Sequence, residues 1–87
     1  MFKTLADIKK ATKPGSVWRC TWRNGTAKTR EIVRAQSNAI TFNDNGRESW
    51  LYWEKAERYD ILPEGFRVYW PGEHTDANFI MQYDFVK

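Results

Sequence analysis

The sequence predicts a mainly β (α+β) fold, in which a short N-terminal helix precedes a six-stranded antiparallel meander curled into an SH3-like open barrel. Three observations predict it. Fourteen of the 87 residues are aromatic, five of them Trp, and most stand in short runs that alternate with polar residues. The runs are cut apart by Asn24-Gly25, Ser37-Asn38, Asp44-Asn45-Gly46, Pro63-Glu64-Gly65 and Pro71-Gly72, all suited to turns. Helical spacing is confined to the first dozen residues.

In that first segment Leu5, Ile8 and Ala11 recur at helical spacing, and Thr4 with Asp7 makes a capping-box start. Lys9-Lys10 suits the C-terminal end and Pro14-Gly15 terminates the helix. So short a helix is stable only when its apolar face packs on the rest of the chain. The remainder reads as strands at 17–23, 28–36, 39–43, 48–53, 66–70 and 79–86. The organisation is a single domain over 1–87, with the helix in 1–13 and the barrel-like sheet in 16–87.

Aromatic bulk gives so short a chain its core. A domain of this size buries only about 60–65 % of its unfolded surface, and each buried Trp or Phe removes roughly 150–250 Å² from water. Alternation turns Trp18, Trp22, Trp53, Phe66, Trp70, Phe79, Tyr83 and Phe85 inward. Trp50-Leu51-Tyr52-Trp53 carries aromatics on both faces of one strand. Trp50 and Tyr52, with Tyr69, are therefore candidates for an outward stacking or protein-binding surface, the alternative being cover by the helix or by residues 54–65.

Charge is uneven along the chain. Residues 1–48 hold ten Lys/Arg against four Asp/Glu (+6), and residues 49–87 hold four against seven (−3), for a total of +3. Much of the excess lies in the first hairpin. If Arg23 opposes Lys28 and Thr21 opposes Arg30 around a four-residue loop 24–27, then Arg19, Arg23, Lys28, Arg30 and Arg34 share one outer face, while Val33 and Ala35 point to the core. Like charges across strands are unfavourable, so such a face calls for an anionic partner or for acids folded over it from Glu54, Glu57 or Asp60.

Other chemistries find little support. Cys20 is a single cysteine on an inward strand position, which offers no disulfide and no thiolate metal site. His74 is the single histidine, beside Glu73 and Asp76 in a turn-like run that reads as a solvated tip, so no metal and no cofactor are expected. The five glycines are spaced singly, unlike a phosphate-cradling loop. Neither a signal-like stretch nor a membrane-length apolar run is present, and an intracellular, cytoplasmic protein without a membrane partner is expected.

The run Thr4 to Lys10, Lys13-Pro14-Gly15, Ser49-Trp50-Leu51 and Phe66-Arg67-Val68-Tyr69-Trp70 resembles small uncharacterised phage or prophage accessory proteins. The resemblance implies a binding role and transfers no site residue. The expected function is a non-enzymatic binding module whose basic first hairpin engages nucleic acid. The alternative is a phage-encoded interaction module or inhibitor that binds an acidic host protein through its aromatic patch, acting as a monomer or a small homo-oligomer.

Overall fold

The computed structural model describes residues 1–71 and 81–87. Among them lie helix α1 (Leu5–Ala11) and strands β1 (Val17–Trp22), β2 (Ala27–Ala35), β3 (Ala39–Asp44), β4 (Arg47–Tyr52), β5 (Arg58–Leu62), β6 (Gly65–Tyr69) and β7 (Met81–Phe85), with a 3-10 turn at Trp53–Lys55. The fold is mainly β, as expected, with seven strands instead of six. The added strand, β5, was hidden because Arg58 and Asp60 interrupt its apolar positions, a composition typical of a short, charged sheet edge.

The sheet order is β4-β3-β2-β1-β7-β6-β5, antiparallel throughout. It is two meanders, β1 to β4 and β5 to β7, joined where β1 pairs with β7. The two outermost strands, β4 and β5, are consecutive in the chain. Residues 53–57 between them span roughly 20 Å at full stretch, whereas the edges of a flat seven-stranded sheet lie roughly 29 Å apart. The sheet therefore curls into a half-barrel. The link is tied down at both ends: Trp53 N–H donates to the carbonyl of Asn38, in the β2–β3 turn, at 2.9 Å and Glu57 N–H to the carbonyl of Tyr69, in β6, at 2.7 Å.

Helix α1 forms as its sequence dictates. Asp7 N–H donates to Thr4 Oγ1 at 3.2 Å, and the Asp7 carboxylate accepts from the backbone of Lys3 and Thr4. Those bonds, that from Lys3 foremost, hold the carboxyl below its usual range. Ile8 enters the core, with Phe2, Leu5 and Ala11 packed against it.

The concave side is filled by a chain of rings. Phe42 stacks on Tyr83 (centroids 5.5 Å apart), Tyr83 on Phe66 (4.8 Å), and Phe66 meets Trp18 edge-on (5.7 Å). Trp18, Trp53, Phe66 and Tyr83 are buried as expected, and Trp22 and Trp70 are partly buried against the cluster. Phe85 packs on Trp18 yet remains 39 % exposed at the sheet margin. Phe79 lies outside the described residues.

The register of the first hairpin differs from expectation, with consequences for the site. Trp18 opposes Arg30 and Cys20 opposes Lys28. Gly25 N–H donates to the Trp22 carbonyl (2.9 Å) and Trp22 N–H to the Thr26 carbonyl (2.7 Å), so the loop is Arg23-Asn24-Gly25, three residues long. Gly25 sits at φ +93°, which the last position of such a loop requires. Asn24 Oδ1 accepts from Thr26 N–H at 3.0 Å. With the loop at residues 23–25 in place of 24–27, Thr21 opposes Ala27 and not Arg30, a slip of three residues along β2, and an odd slip exchanges the faces of that strand. Ile32 is thus fully buried and Val33 is 37 % exposed, the reverse of the predicted parity, and Ala35 is exposed.

Candidate functional site

The five basic residues of the first hairpin do not share a face. Arg19 stands on the outer side, where its Cα partner in β7 is Asp84. Arg23 is in the exposed hairpin loop. Lys28 and Arg30 belong to the concave side. There Arg30 is only 7 % exposed, and its Nη2 donates to Asp44 Oδ2 at 3.1 Å while Lys28 Nζ lies 3.5 Å from Asp44 Oδ1. The Arg30 guanidinium lies 4.8 Å from the centre of the Trp22 ring.

Arg34 is returned to the outer side by a bulge. The β2–β3 register shifts between Ile32, which opposes Phe42, and Arg34, which opposes Thr41. An extra residue at this point re-aims every side chain beyond it. Arg34 then pairs with Glu48 and lies over the Trp50 ring, 5.3 Å from its centre. The acids paired with Lys28, Arg30 and Arg34 are thus Asp44 and Glu48 from the adjoining hairpin, where acids from Glu54, Glu57 or Asp60 were expected. Asp60 instead pairs with Arg58 and accepts from the Tyr69 hydroxyl at 2.7 Å.

Tyr69 is a second correction. It is 4 % exposed, lies under the Arg58 guanidinium at 4.0 Å, and offers no stacking surface. Its ring is covered because β5, absent from the expected strand set, pairs beside it and places Arg58 opposite.

Trp50 and Tyr52 are where the sequence places them, on the outer face of β4, 44 % and 41 % exposed. Their rings are nearly parallel, 13° apart, with centroids 6.1 Å apart. Lys55, in the 3-10 turn, lies 5.5 Å from the centre of the Tyr52 ring. The result is a row of Arg34, Trp50, Tyr52 and Lys55 along one sheet edge. Ala39 and Thr41, opposite Tyr52 and Trp50, are each 1 % exposed. Val33 adds an exposed apolar group from β2. Trp50 and Tyr52 were legible from a strand with aromatics on both faces. Lys55 and Arg34 were not, since they join the row through the 3-10 turn and the bulge.

Cys20 is fully buried, and burial pushes its thiol up to about 12 from 9.0. Burial likewise raises Tyr59 to about 12 from 10.0, and raises Tyr83 further. A buried neutral thiol is a poor nucleophile, so in the folded protein Cys20 is expected to resist a disulfide reagent at pH 8 and to react once denaturant is added. The three groups also set an alkaline limit. The unfolded chain loses these protons from about pH 9 upward while the folded chain retains them, so stability is intact below pH 9 and falls toward pH 12. A melting temperature unchanged between pH 8 and pH 11 contradicts this.

His74, Glu73 and Asp76 lie outside the described residues. Among the described residues no three His, Cys, Asp or Glu side chains gather as metal ligands, and no helix is long and apolar enough to cross a membrane. Compared with known protein families, curated proteins and solved structures, the chain has no match in any of the three.

Proposed function

We propose that this chain is a non-enzymatic binding module that docks a partner protein on the outer face of β4, with Trp50 and Tyr52 as anchors. The observation that carries this reading is the half-exposed ring pair bracketed by Arg34 and Lys55. Trp, Tyr and Arg are the side chains that dominate binding hot spots. Because the rings are already held against each other and against two cations, little side-chain freedom remains to be lost on association. The partner is one that offers an apolar recess for the rings and acceptor groups for the flanking cations.

Charge favours a protein over a polyanion at this face. Arg34 is paired with Glu48, and Glu31 is exposed beside the bulge, so the surface is close to balanced. Phosphate backbones select a cationic surface. A second reading, single-stranded nucleic acid stacked across the same rings, draws on the alternation of cations with aromatics and on the net charge of +3.

The test uses the tagged full chain, captured from nuclease-treated lysate, followed by calorimetry with the purified partner. W50A is expected to cost about 2 kcal/mol or more of binding, and Y52A a comparable amount, with R19A near neutral. Retention of full affinity by W50A and Y52A removes this face as the site. Oligonucleotide binding that falls steeply with salt and disappears in W50A supports the second reading instead.

A further inference from the structure

A different site lies on the concave side, at the end where β1 turns into β2. Trp22, Asn24, Thr26, Lys28, Arg30 and Asp44 line a cleft of about 340 Å³, within the size range of small-ligand sites. Arg30 forms part of its wall with 7 % of its surface exposed. One guanidinium nitrogen, Nη2, is engaged by Asp44, and Lys28 Nζ approaches the other oxygen of the same carboxylate. Two cations thus share one acid, and the cleft carries one net positive charge. Arg30 Nε is buried and has no hydrogen-bond acceptor among the described residues.

A buried N–H donor without an acceptor is rare in folded proteins, because water has been removed and nothing replaces it. An arginine held in this way beside an aromatic face matches the planar fork that recognises carboxylates and phosphates. The Trp22 ring, partly buried and already stacked on the guanidinium, extends that recognition to an apolar plane. We infer that this cleft binds a small molecule carrying one oxyanion group, a carboxylate or a phosphate, attached to a flat ring. The oxyanion pairs with Lys28 and draws the buried Arg30 Nε–H toward it by a small turn of the guanidinium, and the ligand ring rests on Trp22 beside that guanidinium. Asp44 orders both cations and, by its own charge, limits the cleft to weakly charged anions.

This assignment is independent of the β4 face, because it uses the concave side of the sheet and none of the same side chains. It also makes a prediction of unusual sign. Asp44→Asn removes the competing charge while keeping a side chain of the same shape, and is expected to tighten anion binding by about tenfold. Lys28→Met is expected to weaken it by roughly fivefold.

The experiment is a titration of the isotopically labelled full chain, following the Trp22 indole N–H and the backbone amides of residues 24–30. The probes are benzoate, phenyl phosphate, acetate and inorganic phosphate. Saturable shifts confined to this cleft are expected, with each ring-bearing probe binding roughly threefold or more above its ring-free counterpart, a preference that Trp22→Leu abolishes. Benzoate against phenyl phosphate tells which oxyanion is preferred. Melting curves identify any variant that has lost its fold, and Lys28, itself half-exposed, is the substitution least exposed to that outcome. Shifts that do not saturate by about 10 mM of any probe, or equal affinities in wild type, Asp44→Asn and Lys28→Met, overturn the proposal and leave the Arg30–Asp44 pair as a closure of the sheet end.

Discussion

Gly65→Ala is expected to abolish stable folding at ambient temperature, although the side chain added is a single methyl group. A Cβ at residue 65 falls 1.7 Å from the Tyr83 carbonyl oxygen, 2.8 Å from its carbonyl carbon and 3.0 Å from Asp84 Cα. All three atoms are backbone, so no side-chain rotation relieves the clash. Relief requires β6 and β7 to part where Gly65 pairs with Asp84 and Phe66 with Tyr83. That pairing holds β6 and the edge strand β5 to β7 and so to the rest of the sheet, and its opening exposes the fully buried Phe66 and the ring stack around Tyr83. A loss above about 4 kcal/mol is expected, a size seen only for severe disruptions such as a breached core.

The fitting control is Gly25→Ala, where the added methyl meets open space and the penalty comes from the positive φ alone. That substitution is expected to cost about 1–2 kcal/mol. Denaturant titrations of the two variants make the comparison. A Gly65→Ala variant no less stable than Gly25→Ala contradicts the close approach of β6 and β7.

Trp18→Ala is expected to be the most damaging change at a side chain. Trp18 is fully buried and meets Phe2 at 6.0 Å, Phe66 at 5.7 Å and Phe85 at 5.2 Å between ring centres. Phe2 comes from the segment ahead of α1, Phe66 from β6 and Phe85 from β7, so one indole joins three parts of the chain. Truncating a buried Trp typically costs about 3–5 kcal/mol through lost burial and the cavity left behind. The total stability of a domain this size is on the order of 5–10 kcal/mol.

Trp18→Phe separates packing from polarity. The indole Nε1–H donates to Ser16 Oγ at 3.2 Å, and Ser16 Oγ in turn donates to the Lys13 carbonyl at 2.7 Å. Phenylalanine keeps much of the bulk and removes the donor, so an intermediate loss of about 1–3 kcal/mol is expected, read as a melting temperature between those of Trp18→Ala and wild type. If Trp18→Ala melts within a few degrees of wild type, the ring cluster is not the principal support of the fold.

Helix α1, the β3–β4 turn and the inward rings were legible in the sequence because each depends on near neighbours. Thr4 and Asp7 cap one another over three residues. Asn45-Gly46 closes a two-residue hairpin between Asp44 and Arg47. Trp18, Phe66 and Tyr83 were readable from alternation. Trp50 and Tyr52 were readable as an outward pair, since a strand with rings on both faces cannot bury them all against one core.

What alternation alone could not supply was which residues of β2 face which way. Arg23-Asn24-Gly25, with glycine last, marks a three-residue loop, and counting four instead moved Lys28 and Arg30 from the concave side to the outer one. The bulge at Val33 then sent Arg34 outward, away from Arg30. Strand β5 and its cover over Tyr69 were equally hidden, because Arg58 and Asp60 break the apolar pattern.

The sequence by itself determined a helix-capped, aromatic-cored β protein with Trp50 and Tyr52 left outside, and it placed Tyr69 with them, which the structure buries. Only the tertiary structure decided that the basic residues of the first hairpin are divided, with Lys28 and Arg30 sharing Asp44 on the concave side and Arg34 paired with Glu48 on the outer one. The physical reason is that a strand's pattern repeats every two residues, so it defines two faces without saying which is inner. That choice is made by loop length, by a single extra residue at a bulge, and by acids that arrive from a neighbouring strand.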